Sequence, residues 1–363
     1  MRTFLKRIGT IVLFAIIALC LAPTLVPPFL DRIYYRGPAS DHFDGQRFFN
    51  PGFRDEAHGG PQRFANRWLN GERAKWPERV AITPGKPGQV GQGEMVATWI
   101  GHSTVLIQAG GLNILADPIW SERSSPFSFI GPKRAREPGV RFEDLPKIDV
   151  VLISHNHYDH MDVPTLKRLW ERDRPAIVTS LGNDTLLRAE GVKSVALDWG
   201  QETELLPNCP AVDNCKFGAD VTVLRNHHWG SRWGTDRNRA LWSAFSVRTA
   251  AGNIFFAGDT GWGDGSWVGE AAAFGPYRLA IIPIGAYEPR DFMKTNHVDP
   301  GEAVRIFQGL NAGTALGVHW GTFQLTFEGI DDPPRRLGAE LRARGVPANR
   351  FVTTEVGRPL RIP

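Results

Sequence analysis

A chain of 363 residues with 42% hydrophobic and 22% charged side chains is long enough for one large or two smaller domains and too apolar to be disordered throughout. Its 39 glycines and 27 prolines follow no fixed period, which excludes collagen-like and solenoid repeats. Lys and Arg number 42 against 38 Asp and Glu, a formal charge of only +4, and Lys133, Arg134 and Arg136 form the one basic cluster, so no nucleic-acid partner is expected.

Residues 8–30 carry no charged side chain, and Arg2, Lys6 and Arg7 precede them. Roughly 20 apolar residues can cross a bilayer as a helix, and a positive flank stays inside. Residues 1–30 are therefore expected to form a membrane anchor, with the rest of the chain on the outer, periplasmic side. A cleaved signal segment is the alternative, which Pro23 after Ala22 disfavours. Residues 31–93 read as an irregular arm and linker with short helices. The aromatics of this arm, among them Phe48, Phe49, Phe53 and Trp68, need cover from elsewhere.

From residue 94 to 363 the pattern is that of one α/β domain. Strands are expected at Val96–Ile100, at Ser103–Gln108 and Leu112–Ala116 around a Gly110-Gly111 turn, and at Ile148–Ser154. A helix from Pro164 to Arg172 follows, then strands at Ala176–Thr179, Ser194–Leu197, Val221–Leu224, Trp242–Val247, Ile254–Ala257, Leu279–Ile284 and Ala315–Val318. A second helix runs from Pro300 to Leu310. Three cysteines cannot build a disulfide framework. Cys209 and Cys215 could close one small loop in an oxidising compartment, or stay as thiols.

The strongest signal directly follows the strand at 148–154. Within six positions stand His155, His157, Asp159 and His160. Imidazole and carboxylate together suit zinc or a similar divalent ion. Burying four such groups without a metal would leave polar atoms without partners. One loop cannot complete two metal sites, so further ligands should recur at later strand ends. His227 and His228, Asp259, and His319 each follow a strand.

The pattern of His155, His157, Asp159 and His160, with His, Asp and His at later strand ends, resembles the metallo-β-lactamase superfamily. Longer stretches are similar to the N-acylphosphatidylethanolamine phospholipase D family along most of residues 47–335. They include Trp99 to Thr104, Ala116 to Ser121, Gly131 to Arg134, Phe256 to Gly261, Ile282 to Arg290, His297 to Pro300 and His319 to Thr322. The resemblance implies a four-layered αβ/βα sandwich with two zinc ions on one edge. It places His155, His157 and His228 on one ion, Asp159, His160 and His319 on the other, and Asp259 between them. His228 is preferred to His227 because the family has Trp after this ligand, as Trp229 stands here.

The implied activity is hydrolysis of membrane phospholipids by a hydroxide held between the zinc ions, giving phosphatidic acid and an N-acylethanolamine. Asp159, Asp259 and His297 carry the catalytic roles, and His102 and Asp117 support the ligands from behind. Lys133, Arg134 and Arg136 either meet lipid phosphate or form a solvated loop. Another metallo-hydrolase on the same site, such as a lactonase or a different phosphodiesterase, is the alternative. A non-enzymatic envelope protein with a structural zinc site is a further one.

Overall fold

Gly110 and Gly111 take the left-handed conformation (φ 60° and 81°) that a tight hairpin turn needs. They join β2 (Thr104–Ala109) to β3 (Leu112–Ala116), with β1 (Met95–Gly101) antiparallel on the other side of β2. The computed structural model describes residues 2–52, 60–205 and 218–363, so Phe53, Cys209 and Cys215 lie outside the described residues.

Next along the chain come β4 (Val150–Ile153), α-helix Val163–Asp173, β5 (Ala176–Ser180), α-helix Asn183–Ala189 and β6 (Val195–Leu197). Strands β3 to β6 run parallel. β4 is a run of Val, Leu and Ile buried along its whole length, as expected of a strand covered on both faces. The second half holds β7 (Glu202–Leu205), β8 (Ala219–Leu224), β9 (Ala244–Thr249), β10 (Gly252–Phe256), β11 (Tyr277–Pro283), β12 (Thr314–Val318) and β13 (Phe351–Val352). Its helices include Ser266–Ala272, Pro300–Leu310 and Asp332–Ala343. The terminal β14 (Pro359–Ile362) returns to pair with β1 in the first sheet.

Two seven-stranded mixed sheets result, in the orders β14-β1-β2-β3-β4-β5-β6 and β13-β12-β11-β10-β9-β8-β7. Their inner faces share one apolar core, including Leu152, Val223, Phe256 and Leu316. A second core lies between the second sheet and its helices, and a third between the first sheet and the helices of residues 163–189. This is an αβ/βα sandwich. The parallel strands β3 to β5 and β10 to β12 end on one edge, where open α/β sheets place their ligands.

The arm lies on this sandwich. Tyr34 donates to Asp236 at 2.7 Å, and Phe43 and Phe48 pack on Leu241 and Trp242. Helix Gly60–Leu69 sets Phe64 against Phe292 and Phe327. The expected membrane anchor is not supported, and the expected outer-side placement falls with it. Residues 2–30 are helical, yet among the described residues no helix is long and apolar enough to cross a membrane.

Candidate metal centre

The loop after β4 makes a tight turn in which His160 N and Met161 N both bond to the carbonyl of His157. This turn brings four polar side chains to the sheet edge. His155 Nε2 lies 2.8 Å from His157 Nδ1, and His228 Nε2 lies 3.4 Å from the same atom. His228 follows β8 in the other sheet. Three imidazoles thus converge on one point.

The far nitrogens of His155 and His228 are held. Ser154 Oγ is 2.9 Å from His155 Nδ1, and His228 Nδ1 donates to the carbonyl of Asn296 at 2.9 Å. With its proton fixed on Nδ1, His228 presents a lone pair from Nε2. Burial, then nearby His160 and His157, pushes the pKa of His155 well below the ordinary imidazole value. Burial does the same to His228 and lowers His157 to about 3. All three are neutral at pH 7, the state that binds metals.

A second group lies beside the first. Asp259 Oδ2 is 3.1 Å from both His160 Nε2 and His319 Nε2, and 3.9 Å from His228 Nε2. Asp159 Oδ2 is 3.4 Å from His160 Nε2 and 3.6 Å from His319 Nε2. Asp259 therefore stands between the two groups. Burial opposes charge on His319, but Asp259 and Asp159 outweigh it and raise the pKa to about 9. His160 is likewise held well above its ordinary value, burial being outweighed by Asp259, Asp159 and Asp117. The buried carboxylates thus favour protons on these imidazoles, and a divalent cation would compete with those protons.

The donors fit such ions. His157 Nε2, His160 Nε2, His319 Nε2 and Asp259 Oδ1 are buried without a hydrogen-bond partner. Buried polar atoms are rarely left so, and a metal centre accounts for most of them together. His102, Asp159, His160 and His319 form one group able to hold an ion, and His155, His157 and His228 another.

The residues expected to support the cluster sit behind it. Asp117 accepts from the backbone N and Oγ of Ser154 and from His160 Nδ1 at 2.6 Å. His102 Nε2 is 2.8 Å from Asp159 Oδ2. His102, Asp117 and His319 all adopt positive φ (53°, 37° and 64°), conformations that cost energy and cluster at functional edges. Gly258, at φ 59°, has no alternative, because a Cβ there would stand 2.6 Å from Ser154 Cβ. It lets β10 turn Asp259 inward.

His297 Nδ1 lies 3.9 Å from Asp259 Oδ2 with no hydrogen-bond partner, and burial lowers its pKa to about 4. His227 points away, its Nδ1 2.9 Å from the carbonyl of Thr295. Arg134 is buried and Arg136 bonds the carbonyl of Gly321, so of the three basic residues only Lys133 is exposed.

Two supports escape a reading of motifs. Arg232 Nη1 donates to the carbonyls of Asn156 and Met161, both at 3.0 Å, and its guanidinium lies 3.5 Å from the Tyr158 ring centre. Asn50, from the arm, donates to the carbonyl of His228 at 2.9 Å. Arg232 has no sequence signal, and Asn50 has only its place within the stretch of family resemblance that begins at residue 47.

Fold and cluster together define a hydrolase of the β-lactamase superfamily. The chain belongs to it: residues 112–320 match the beta-lactamase superfamily domain. Within it the chain falls among proteins like N-acylphosphatidylethanolamine phospholipase D. It is 37% identical over 275 residues to "N-acyl-phosphatidylethanolamine-hydrolyzing phospholipase D 1" of Caenorhabditis elegans, covering 72% of this chain and 74% of that one. It is 34% identical over 244 residues to the mitochondrial protein of the same description from Saccharomyces cerevisiae, covering 66% of this chain and 50% of that one. Igni18, a metallo hydrolase of Ignicoccus hospitalis, shares the fold with a TM-score of 0.53 at 18% identity, over 74% of this chain and 99% of that one.

Proposed function

We propose that this chain is a dinuclear zinc phosphodiesterase that hydrolyses N-acylphosphatidylethanolamine in the manner of a phospholipase D. Water adds to phosphorus, the P–O bond on the ethanolamine side breaks, and phosphatidic acid and an N-acylethanolamine leave. The observation that carries the reading is Asp259 Oδ2, placed between a neutral histidine triad and a carboxylate–histidine group. The 37% identity to a phospholipase of this type supports the substrate class.

In this reading His155, His157 and His228 would hold one ion, Asp159, His160 and His319 the other, and Asp259 would serve both. Bound there, two such ions would lower the pKa of water towards about 7 and stabilise charge developing on phosphoryl oxygens. His102 and Asp117 keep Asp159 and His160 in orientation. His297, neutral at pH 7, offers one ring N–H to a phosphoryl or leaving-group oxygen. No nucleophilic Ser or Cys is required.

The test is metal analysis of the purified chain, followed by incubation with vesicles of N-acylated and of plain phosphatidylethanolamine and mass analysis of products. Phosphatidic acid with N-acylethanolamine, lost on chelation and restored by zinc, is expected. Two bound metals with neither lipid cleaved would overturn the substrate and leave a metallo-hydrolase of another ester or phosphodiester.

A further inference from the structure

Outside the N-terminal helix, exposed large apolar side chains are scattered singly along the described chain, with one exception. Phe127, Phe129 and Ile130 are 47%, 77% and 58% exposed, in a stretch where every residue from 126 to 131 is exposed. Single exposed apolar residues are ordinary; three within four positions mark a surface that meets something.

The stretch is the tip of a built hairpin. Ser124 N bonds to Pro132 O at 3.1 Å, Arg134 N to Glu122 O at 2.9 Å, and Arg123 Nη1 to Gly131 O at 2.6 Å. The buried Arg134 guanidinium clamps the base by donating to the carbonyls of Ser121 and Ile119, at 3.0 and 3.1 Å. Gly131 (φ 102°) closes the turn where a Cβ would collide with Ser125 at 2.6 Å. The Phe127 and Phe129 rings lie 5.6 Å apart at the tip. The clamped base holds these side chains outward.

The base is also joined to the metal cluster. Ala135 N bonds to Thr322 O at 2.7 Å, and Thr322 Oγ1 accepts from His102 N at 2.8 Å. Arg134 lies over Phe323, whose ring is 5.3 Å from His102. At the hairpin's base Arg134 is buried and Lys133 pairs with Glu122 at 2.9 Å, which leaves the half-buried Arg123 as the one net positive charge of residues 121–134 that reaches the surface. Aromatic and aliphatic side chains at a tip, with one net positive charge at its base, suit an anionic lipid surface.

We propose that the hairpin of residues 121–134 is an interfacial docking element. It seats Phe127, Phe129 and Ile130 among the headgroups of an anionic phospholipid surface, with Arg123 towards the phosphates. The choice of a lipid over a protein occupant rests on the phospholipase reading above. The docked hairpin holds the metal centre close to the surface that supplies its substrate.

The full chain and its F127S/F129S/I130S variant are compared for sedimentation with vesicles of phosphatidylcholine alone and of phosphatidylcholine with an equal amount of phosphatidylglycerol. Both are also assayed on N-acylphosphatidylethanolamine in vesicles and on a short-chain analogue kept monomeric. The expected result is a partition coefficient onto the mixed vesicles at least about tenfold lower in the variant, with a parallel loss of vesicle hydrolysis and unchanged hydrolysis of the monomeric analogue. Equal vesicle binding by the two proteins overturns the proposal, including when both hydrolyse lipid, in which case the phospholipase reading stands without it. Tip-dependent vesicle binding without cleavage of any phospholipid supports docking and removes the phospholipase reading. A native chain that ignores both vesicle types but self-associates through the tip overturns the proposal in favour of a second copy.

Discussion

The two sheets supply the metal cluster in different ways. The first sheet delivers His155, His157, Asp159 and His160 from one loop after β4, so their proximity is largely a matter of local sequence. The second delivers His228, Asp259 and His319 singly, from the ends of three strands, so their meeting depends on the order β12-β11-β10-β9-β8. A ligand set made by a loop survives a shift of the whole loop; one made by strand ends does not survive a change in strand packing. The second half should therefore be the more sensitive to single substitutions.

The hardest test of this contrast is Asp259→Asn. Asp259 faces imidazoles of both groups, and the amide removes the charge that offsets them without changing size. Turnover should fall by roughly 10³-fold or more, the scale of losing a principal electrostatic stabiliser, while circular dichroism stays native. Metal analysis should show fewer ions per chain. Near-normal turnover would end the two-ion reading.

The next test separates adjacent histidines. His228→Ala removes one arm of the neutral triad and should abolish binding of one ion and most activity. His227→Ala loses a hydrogen bond to Thr295 worth about 1 kcal/mol and should lower the melting temperature slightly with little change in turnover. Activity assays on the two single variants decide it; the reverse order would put His227 in the centre.

A smaller effect is expected from Asp117→Asn, behind the loop-borne group. Asp117 fixes the proton of His160 on Nδ1, which leaves Nε2 free to bind. An amide can present its NH₂ to that nitrogen and favour the wrong tautomer. Losses of outer partners of this kind cost about 10–100-fold in metal affinity, so competition with a chelator should release metal earlier. Unaltered chelator resistance would show that the loop holds His160 unaided.

The same contrast explains what the sequence makes legible. The candidate ligands of the loop are readable because all four lie within six positions after an apolar strand. The strand-end ligands need the strands located first, and His228 is distinguished from His227 only by the family's following Trp. Strands β7 and β14 lack a clear signal because β7 alternates Glu with Thr and Leu at a sheet edge, and β14 begins with Pro and carries Arg. Helix Asp332–Ala343 buries only Pro333, Leu337 and Leu341, a stripe too narrow to announce itself among arginines. Residues 1–30 mislead for the opposite reason: absence of charge suggests a span, yet among the described residues no helix is long and apolar enough to cross a membrane. The arm's contacts with the site, through Asn50, depend on tertiary packing alone.

The arm offers the gentlest test, away from the metal centre. His42 is buried, stacked 4.5 Å from Trp199, with Nδ1 2.6 Å from Asp41 Oδ1 and Nε2 2.7 Å from Asp198 Oδ1. Burial opposes its charge, but the hydrogen bonds to Asp198 and Asp41 outweigh it and raise its pKa above the ordinary value of 6.5. A raised folded-state pKa contributes stability that is complete below the unfolded value, near pH 6.5, and is lost as pH rises through the folded value. Melting temperature should therefore decline over that window in the native chain, and His42→Gln should flatten this part of the profile. Because Asp41 is open to solvent, salt should weaken the effect. A slope that persists in the Gln variant would assign the pH dependence to the cluster histidines instead, and would place the sensitivity at the sheet edge rather than in the arm that covers it.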